Sequence, residues 1–262
     1  MKLVTLVENT SCVEDLKAEH GLSLYIETGD RKLLFDTGQS ALIRENAWRL
    51  GVDLKAVDTV VLSHGHYDHG GGLFPFFEEN SQALVYASPL CFQEYYNGTK
   101  KYIGLNPLLV ETGRFRMVDS TQSLGDGLTL IPGRMVLTPR GIPYYGLNVK
   151  LKSIFARDCF LHEQYLLLEE KGKRILFSGC SHRGILNITE HFRPDILIGG
   201  FHFKKLDPEA DRQTLEENAR ALLQFPTEYY TCHCTGTGQY EVLKPIMGDR
   251  LHYLSAGSTL TL

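Results

Sequence analysis

The sequence contains no apolar run that approaches the roughly eighteen residues of a membrane-spanning helix. It also lacks a basic tail and any block of like charge, and its formal net charge is −4, which argues against a nucleic-acid partner. The first residues, Met-Lys-Leu-Val-Thr-Leu-Val-Glu, lack the apolar core and the cleavage site of an export signal. We therefore expect a cytoplasmic protein that acts on a small molecule, with neither a membrane nor a nucleic acid as its partner.

Cysteine is sparse, and no internal repeat or low-complexity linker divides the chain. A chain of 262 residues can bury an adequate core without disulfides, so its scattered thiols are expected to be reduced. We predict one domain over residues 1–262, with insertions near 97–113 and 132–157 that have weak periodicity and are interpreted as long loops. Three of the six cysteines, Cys180, Cys232 and Cys234, lie within two residues of a histidine.

Apolar and alternating runs predict most of the secondary structure. Strands are expected at 2–7, 22–28 and 32–36, and a hairpin is expected from 164–168 and 174–177. Further strands are predicted at 58–63, 82–87, 195–199 and 228–232, helices at 40–50, 73–79, 185–192 and 208–224, and then a helix ending near Met247 and two short terminal strands.

The densest group of reactive side chains is His64-Gly-His66-Tyr-Asp68-His69, directly after the predicted strand 58–63. Three imidazoles and one carboxylate fall within six positions, and the small residues around them allow the backbone to fold back. Imidazole nitrogen and carboxylate oxygen suit zinc, iron or manganese. The alternative is a polar loop with incidental histidines, but the spacing favours a metal site.

A strand followed by a small-residue turn that carries histidine occurs four times. The segments are 58–70, 175–184, 196–202 and 228–236. Four strand ends that present histidines toward one rim are what a polynuclear site built from distant segments requires. Asp36, at the end of another predicted strand, is either part of this site or a carboxylate that stabilises a turn.

The motif His64-X-His66-X-Asp68-His69 resembles the signature of the metallo-β-lactamase superfamily. This resemblance implies an α+β fold, the four-layer αββα sandwich, with the metals at one edge of the two sheets. Other motifs resemble the branch that includes the methanopterin-pathway ribofuranosylaminobenzene 5′-phosphate synthase. They are Leu34-Phe-Asp-Thr-Gly-Gln39, Gly179-Cys-Ser-His182, Gly199-Gly-Phe-His202 and Cys232-His-Cys-Thr-Gly236.

The resemblance also implies two metal positions. His64 and His66 match ligands of the first metal, Asp68 and His69 match ligands of the second, and His233 matches the late histidine of the second. The expected cofactor is therefore a pair of divalent ions, with zinc preferred and iron or manganese as alternatives.

Two turns depart from the superfamily pattern. The usual histidine before the hairpin strand falls in the region of Leu161-His-Glu-Gln164, and Cys180 stands where an aspartate usually bridges the metals. We expect His182 to supply the missing ligand of the first metal, with His162 as the alternative. Cys180 is either a bridging thiolate ligand or a small buried thiol. His202 is assigned a catalytic, substrate-facing role, with a core histidine as the alternative.

These residues predict a hydrolase in which two divalent ions activate a water, so that no Ser or Cys nucleophile is needed. Asp68 is expected both to bind metal and to orient the attacking water. One alternative is a non-hydrolytic phosphoribosyl transferase, as the branch resemblance implies. The other is a metal-binding sensor without turnover.

A small anionic, possibly phosphate-bearing substrate is favoured by basic residues in and beside the two insertions and by the branch resemblance. Any one of these basic residues could instead lie on a solvated surface. Tyr144 and Tyr145 are interpreted as packing residues, with substrate stacking as the alternative. The basic residues are Arg114, Arg116, Arg134, Arg140, Lys150 and Lys152.

Overall fold

The first of two large sheets contains both ends of the chain; the computed structural model describes residues 1–262. Its strands are β1 (Lys2–Val7), β2 (Ser23–Thr28), β3 (Arg31–Phe35), β4 (Thr59–Val61), β5 (Leu84–Ala87), β8 (Phe115–Met117) and β18 (Thr259–Thr261). Their spatial order is β18-β1-β2-β3-β4-β5-β8. Strands β3, β4 and β5 run parallel, so their carboxyl ends lie at one edge.

The second large sheet also has seven strands, and three neighbouring strands in it run parallel. Its strands are β9 (Gln122–Gly125), β10 (Leu128–Pro132), β13 (Gln164–Glu170), β14 (Lys173–Gly179), β15 (Ile196–Gly199), β16 (Glu228–Thr231) and β17 (Leu251–Tyr253). They are ordered β17-β16-β15-β14-β13-β10-β9, and β14, β15 and β16 are parallel neighbours. The predicted hairpin is confirmed as β13 and β14, whose turn residues Lys171 and Gly172 have φ of +51° and +75°, as tight hairpin turns require.

The two sheets pack face to face, and helices cover their outer faces. Along β13 the side chains alternate, so that Leu166 joins the core between the sheets and Leu167 packs toward the helices. The rings of Phe35 and Phe177, one from each sheet, meet in the inter-sheet core with centroids 5.7 Å apart. The architecture is the predicted four-layer αββα sandwich.

The helices form the two outer layers. They are α1 (Leu42–Arg49), the single turn α2 (Tyr67–Gly70), α3 (Leu73–Glu79), α4 (Ile185–Phe192), α5 (Arg212–Leu222) and α6 (Thr237–Met247). α1 and α3 pack on the first sheet, whereas α4, α5 and α6 pack on the second. The helix predicted from 208 begins only at Arg212, because Asp207 instead accepts backbone hydrogen bonds in a preceding turn. None of the helices combines the length and apolar character that a membrane crossing would need.

The two segments interpreted as long loops contribute strands to a third sheet, so that interpretation is wrong at 101–102, 147–151 and 154–157, whereas 136–146 contain no helix or strand. The strands of this sheet are β6 (Glu94–Asn97), β7 (Lys101–Tyr102), β11 (Leu147–Leu151) and β12 (Ile154–Arg157), in the order β12-β11-β6-β7. The Tyr96 ring packs edge-on against Tyr102 and Phe155. Strands of two to five residues are too short to produce a clear alternation, and aromatic packing stabilises them instead.

Candidate metal centre

The candidate site lies where the parallel strands of both large sheets end. β4 leads into the motif 64–69, and β14, β15 and β16 lead into turns that carry His182, His202 and His233. The His182 ring centroid is 4.8 Å from that of His64 and 4.2 Å from that of His202. The His233 ring centroid is 5.0 Å from that of His69, so the four strand-end segments converge, as their recurrence in the sequence indicates.

Four non-glycine residues at strand ends around the site have a left-handed backbone. Asp36, Ser181, His202 and His233 have φ of +63°, +56°, +58° and +47°, in the left-handed region that non-glycine residues rarely adopt. Each such residue costs of order 1–3 kcal/mol unless its surroundings fix it, and such residues cluster at functional sites. The turns are therefore held in conformations that serve side-chain placement rather than local stability.

Three buried histidines, His64, His66 and His182, form the first cluster. Their donor nitrogens lie within 4.8 Å of one another, and Nε2 of His64 is 3.2 Å from Nε2 of His182. Nε2 of His66 and Nδ1 of His182 have no hydrogen-bond partner. Burial lowers the pKa of all three imidazoles, that of His66 to about 3, so the rings are neutral, which is the state that binds a metal. Neutral rings with unpartnered nitrogens fit a divalent cation.

Asp68, His69 and His233 form the second cluster, with Cys180 beside it. Sγ of Cys180 is 3.2 Å from Nε2 of His69, and Oδ2 of Asp68 is 3.4 Å from Nε2 of His233. Burial raises the pKa of Asp68, but the positive charge of His69 and hydrogen bonds from His20 and His233 outweigh it and hold the pKa well below its usual range. Imidazole nitrogen, ionised carboxylate and sulfur together suit zinc.

His20 is a further potential ligand that the sequence analysis missed. Its Nε2 lies 3.1 Å from Oδ2 of Asp68, and its ring centroid is 4.8 Å from that of His233. In the sequence it lies before β2 and has no neighbouring candidate ligand at the spacing of a metal-binding motif. Only the folding of the N-terminal segment against the motif brings it to the site.

His162 lies behind the first cluster, with both ring nitrogens already occupied. Its Nδ1 accepts the backbone N–H of Gly65 at 2.9 Å, and its Nε2 donates to Asp158 at 3.1 Å. The neighbouring Glu163, which the sequence analysis did not single out, accepts the backbone N–H of His182 at 2.7 Å. His162 and Glu163 therefore support the turns around the donors, whereas His182 points its ring into the cluster.

Cys180, His202 and Cys234 form the third cluster, with donor atoms within 4.8 Å of one another. Both ring nitrogens of His202 are buried and lack a hydrogen-bond partner. Burial raises the pKa of the Cys234 thiol, but the adjacent Cys180 thiol and His202 ring outweigh it and hold the pKa well below its usual range. Cys234 received no role from the sequence, where its signals were its position next to His233 and its place in the motif Cys232-His-Cys-Thr-Gly236.

A pocket of about 130 Å³ opens onto all three clusters. Asp68, His202 and Cys234 are among its lining residues, and so are three exposed lysines. Lys101 comes from β7, and Lys204 and Lys205 come from the loop after β15. Clustered positive charge beside a concave surface attracts anions.

None of the six basic residues named from the sequence lines this pocket, although Lys101, from the first of the two insertions, does. Arg140 and Lys150 pair with neighbouring carboxylates, and Arg114 donates to backbone carbonyls. The remaining three, Arg116, Arg134 and Lys152, are exposed. Composition located basic residues near the insertions, but it could not indicate which way they point.

The two tyrosines named from the sequence differ in placement. The hydroxyl of Tyr144 donates to Oδ1 of Asn148 at 3.0 Å, and its side chain is half exposed rather than packed in a core. The ring of Tyr145 lies 5.2 Å from that of His202, so it borders the third cluster.

The four-layer sandwich, with histidines, a carboxylate and thiols at one edge of its sheets, defines the class of protein. The model of the metallo-β-lactamase superfamily matches residues 16–139. The chain belongs to this superfamily, as the resemblance of the 64–69 motif predicts.

Three relatives extend the comparison over the rest of the chain. An uncharacterized protein of Methanocaldococcus jannaschii is 30% identical over 210 residues, which cover 75% of this chain and 77% of the relative. The 7,8-dihydropterin-6-methyl-4-(β-D-ribofuranosyl)-aminobenzene-5′-phosphate synthase of the same organism is 27% identical over 267 residues, with 90% and 88% of the two chains covered. A crystal structure of a metal-dependent hydrolase of the β-lactamase superfamily is 27% identical, superimposes with a TM-score of 0.84, and is matched over 100% of this chain and 99% of that one.

Proposed function

We propose that this protein is a metal-dependent hydrolase that acts on a small, anionic, phosphate-bearing substrate. The observation that carries the proposal is the first cluster, in which three buried neutral histidines bring donor nitrogens within 4.8 Å of one another beside a pocket that is also lined by lysines. We assign His64, His66 and His182 to a first ion, and Asp68, His69, Cys180 and His233 to a second. Zinc suits these donors best, with iron or manganese as alternatives.

The chain's own residues have distinct roles in this proposal. Divalent cations at the two positions would supply Lewis-acid activation of water and of a substrate oxygen. Asp68 is ionised and lines the pocket, so it can accept a hydrogen bond from the attacking water and orient it. His202 also lines the pocket with both ring nitrogens free, so it can bind the substrate or hold a proton near the leaving group.

The substrate class follows from the pocket lining. A pocket of about 130 Å³ suits a small molecule or one end of a larger one. Lys101, Lys204 and Lys205 can each donate hydrogen bonds to phosphate oxygens.

Six free cysteines support a reducing compartment such as the cytoplasm.

Metal analysis of protein dialysed without added metal tests the proposal, together with turnover assays on a panel of phosphate mono- and diesters. We expect bound divalent metal and metal-dependent hydrolysis, both strongly reduced by His66→Ala and by Asp68→Ala. His191→Ala, on α4, is the matched control and should retain both. Metal-free purified protein, or unchanged metal content in both variants, would contradict the proposal.

A second candidate function is non-hydrolytic phosphoribosyl transfer. It is favoured by the 27% identical relative whose name describes a synthase of a ribofuranosyl-aminobenzene 5′-phosphate. Release of pyrophosphate and carbon dioxide from phosphoribosyl pyrophosphate and 4-aminobenzoate would select this activity. Turnover of simple phosphate esters would select hydrolysis instead.

A metal-binding sensor without turnover is the third candidate. A closed structural site would need no approach from solvent, but here donors from each of the three clusters line a pocket, which favours a site that admits a substrate. Full metal occupancy without turnover in either assay would favour the sensor.

A further inference from the structure

The third cluster contains two donors that the proposed hydrolase does not use as metal ligands. His202 and Cys234 come from the turns after β15 and β16, and they meet Cys180 from the turn after β14. One donor atom of each residue lies within 4.8 Å of the donor atoms of the other two. Two sulfurs and one imidazole nitrogen are a donor set typical of zinc sites.

The backbone around Cys234 is shaped to admit its sulfur. A Cβ on Gly200 would lie 2.2 Å from Sγ of Cys234, so only glycine leaves room for the sulfur there. The N–H of Gly200 donates to the carbonyl of Gly179 at 2.7 Å, which ties the turn after β15 to the end of β14. The thiol of Cys234 donates to the carbonyl of Cys180 at 3.3 Å. These contacts hold the two sulfur-bearing turns against each other.

His202 is held in place without any hydrogen bond to its ring. Its backbone is in the left-handed region, with φ of +58°, and the preceding residue, Phe201, donates its N–H to Oγ1 of Thr235 at 2.8 Å. Both ring nitrogens are buried and unpartnered. A buried polar group without a partner costs about 1–3 kcal/mol, and a bound cation would remove that cost at one nitrogen.

The two cysteines of the turn after β16, Cys232 and Cys234, have different surroundings. Cys232 lies two residues before Cys234 and is fully buried in the apolar core between the sheets. Cys234 instead lines the pocket, as do Cys180 and His202. A cation held by these three residues would therefore be accessible from the pocket.

We propose that Cys180, His202 and Cys234 bind a thiophilic divalent cation of the zinc and cadmium class, at a position distinct from the histidine cluster formed by His64, His66 and His182. Two thiolates and one neutral imidazole balance the charge of a divalent cation and match its preference for sulfur and nitrogen. Cys180 has a lone pair for this ion as well as for the ion beside His69, so it links the two positions.

Cobalt titration of the full-length protein tests this proposal without any activity assay. Co²⁺ bound by thiolate gives a near-ultraviolet charge-transfer absorption that histidine and carboxylate ligands do not give. We expect Cys234→Ser to weaken this absorption to about half and to reduce bound zinc, measured by plasma mass spectrometry after dialysis, by about one equivalent per chain. His202→Asn should reduce the retained zinc while preserving the absorption at saturating Co²⁺.

Two variants separate this site from the others. Cys232→Ala is the matched control for loss of a buried thiol and should leave both the absorption and the zinc content unchanged. His66→Ala should remove zinc from the first cluster and leave the thiolate absorption intact, whether or not the protein proves to be a hydrolase. The proposal is overturned if Cys234→Ser and His202→Asn both keep the wild-type zinc content. It is also overturned if mass spectrometry shows that Cys180 and Cys234 are joined by a disulfide in protein that has full zinc content.

Discussion

Nδ1 of His69 donates a hydrogen bond to Oδ2 of Asp36 at 2.7 Å. The same carboxylate accepts the backbone N–H and the hydroxyl of Ser63, each at 2.7 Å. Because a hydroxyl has only one proton, the oxygen of Ser63 must accept from Nδ1 of His64, which lies 2.8 Å away. One buried carboxylate thereby orients two histidines and leaves Nε2 of each ring directed into the site. Asp36 is therefore part of the site, as a positioning residue, rather than only a carboxylate that stabilises a turn.

Replacement of Asp36 should weaken metal binding without removing any ligand. Burial lowers the pKa of His69, but the negative charges of Asp36 and Asp68 outweigh it and raise the pKa to about 9. Asp36 thus makes the His69 ring more basic, and a more basic imidazole is a stronger metal ligand once it is deprotonated. We expect Asp36→Asn to reduce zinc affinity by about 10–100-fold, the usual effect of losing a carboxylate behind a histidine ligand. Competition with a chromogenic chelator measures this. Asp58→Asn, at another strand boundary but far from the donors, should keep wild-type affinity, and equal affinity in Asp36→Asn would contradict the positioning role.

The two histidines that compete for the first ion can be separated by mutation. His182→Ala removes a ring whose Nε2 lies 3.2 Å from Nε2 of His64, so we expect loss of the first ion. His162→Ala should retain that ion, because the nitrogens of His162 are bonded to Gly65 and Asp158. Zinc per chain after dialysis, with circular dichroism to verify folding, distinguishes the two. Retention of the ion in His182→Ala and its loss in His162→Ala would reverse the assignment.

Sequence alone predicted the parts of the site that depend on short spacing. The motif 64–69 carries four candidate ligands within six positions. In each later turn, the histidine follows an apolar strand that the sequence pattern predicts. The contribution of His20 could not be predicted, since it depends on packing between segments that are almost fifty residues apart. The same holds for Cys234, whose partners Cys180 and His202 come from two other turns.

The fold was predictable to a similar extent. Long periodic segments such as β13 and α4 were found at or close to their expected positions. The third sheet was missed because its strands are short and pair with distant segments, so no local pattern identifies them. The three strands between Phe115 and Pro132 likewise gave no clear signal, although β10 forms part of the inter-sheet core.

The pocket lysines should control affinity for anions. We expect Lys101→Gln and Lys204→Gln each to weaken the binding of inorganic phosphate to the metal-loaded protein by about fivefold at low ionic strength, with the difference shrinking as salt is added. Titration calorimetry measures the affinity. Arg134→Gln removes an exposed basic residue that lies outside the pocket lining and serves as the control. If all three variants bound phosphate equally, the lysines would have no part in anion binding.

Gly65 leaves no space for a side chain between the first two motif histidines. A Cβ there would lie 2.2 Å from the carbonyl oxygen of Cys91, a backbone atom that cannot move aside on its own. We expect Gly65→Ala to lower the free energy of unfolding by about 3 kcal/mol and to reduce metal affinity, because the residues on either side of it are proposed ligands. Gly29→Ala places a Cβ in open space at φ of +56°, so it should cost about 1 kcal/mol and leave metal affinity unchanged. Urea unfolding measures both costs, and similar losses in the two variants would contradict the steric argument.

Asp58 connects β3 and β4 at the end of the sandwich remote from the donors. Its carboxylate accepts hydrogen bonds from Nε of Arg31 at 2.9 Å and from the backbone N–H of Lys32 at 2.8 Å. Burial raises the pKa of Asp58, but these hydrogen bonds and one from Thr59 outweigh it, so the pKa is lowered in the folded protein. The ionised carboxylate therefore stabilises the junction of the two strands.

The lowered pKa of Asp58 gives its contribution a defined pH dependence. A carboxyl group whose pKa is lower in the folded state stabilises the protein above its unfolded pKa, and this stabilisation is lost as the pH falls through the folded pKa. We expect Asp58→Asn to reduce the free energy of unfolding at pH 7 by at most about 1 kcal/mol, because the side chain is partly exposed and screened by solvent. The difference from wild type should shrink as the pH is lowered below about 4. Urea unfolding across this pH range tests the prediction, with exposed Asp119→Asn as a control that should change stability by less than about 0.5 kcal/mol; a loss in Asp58→Asn that stayed constant with pH would show that the carboxylate charge does not stabilise the fold.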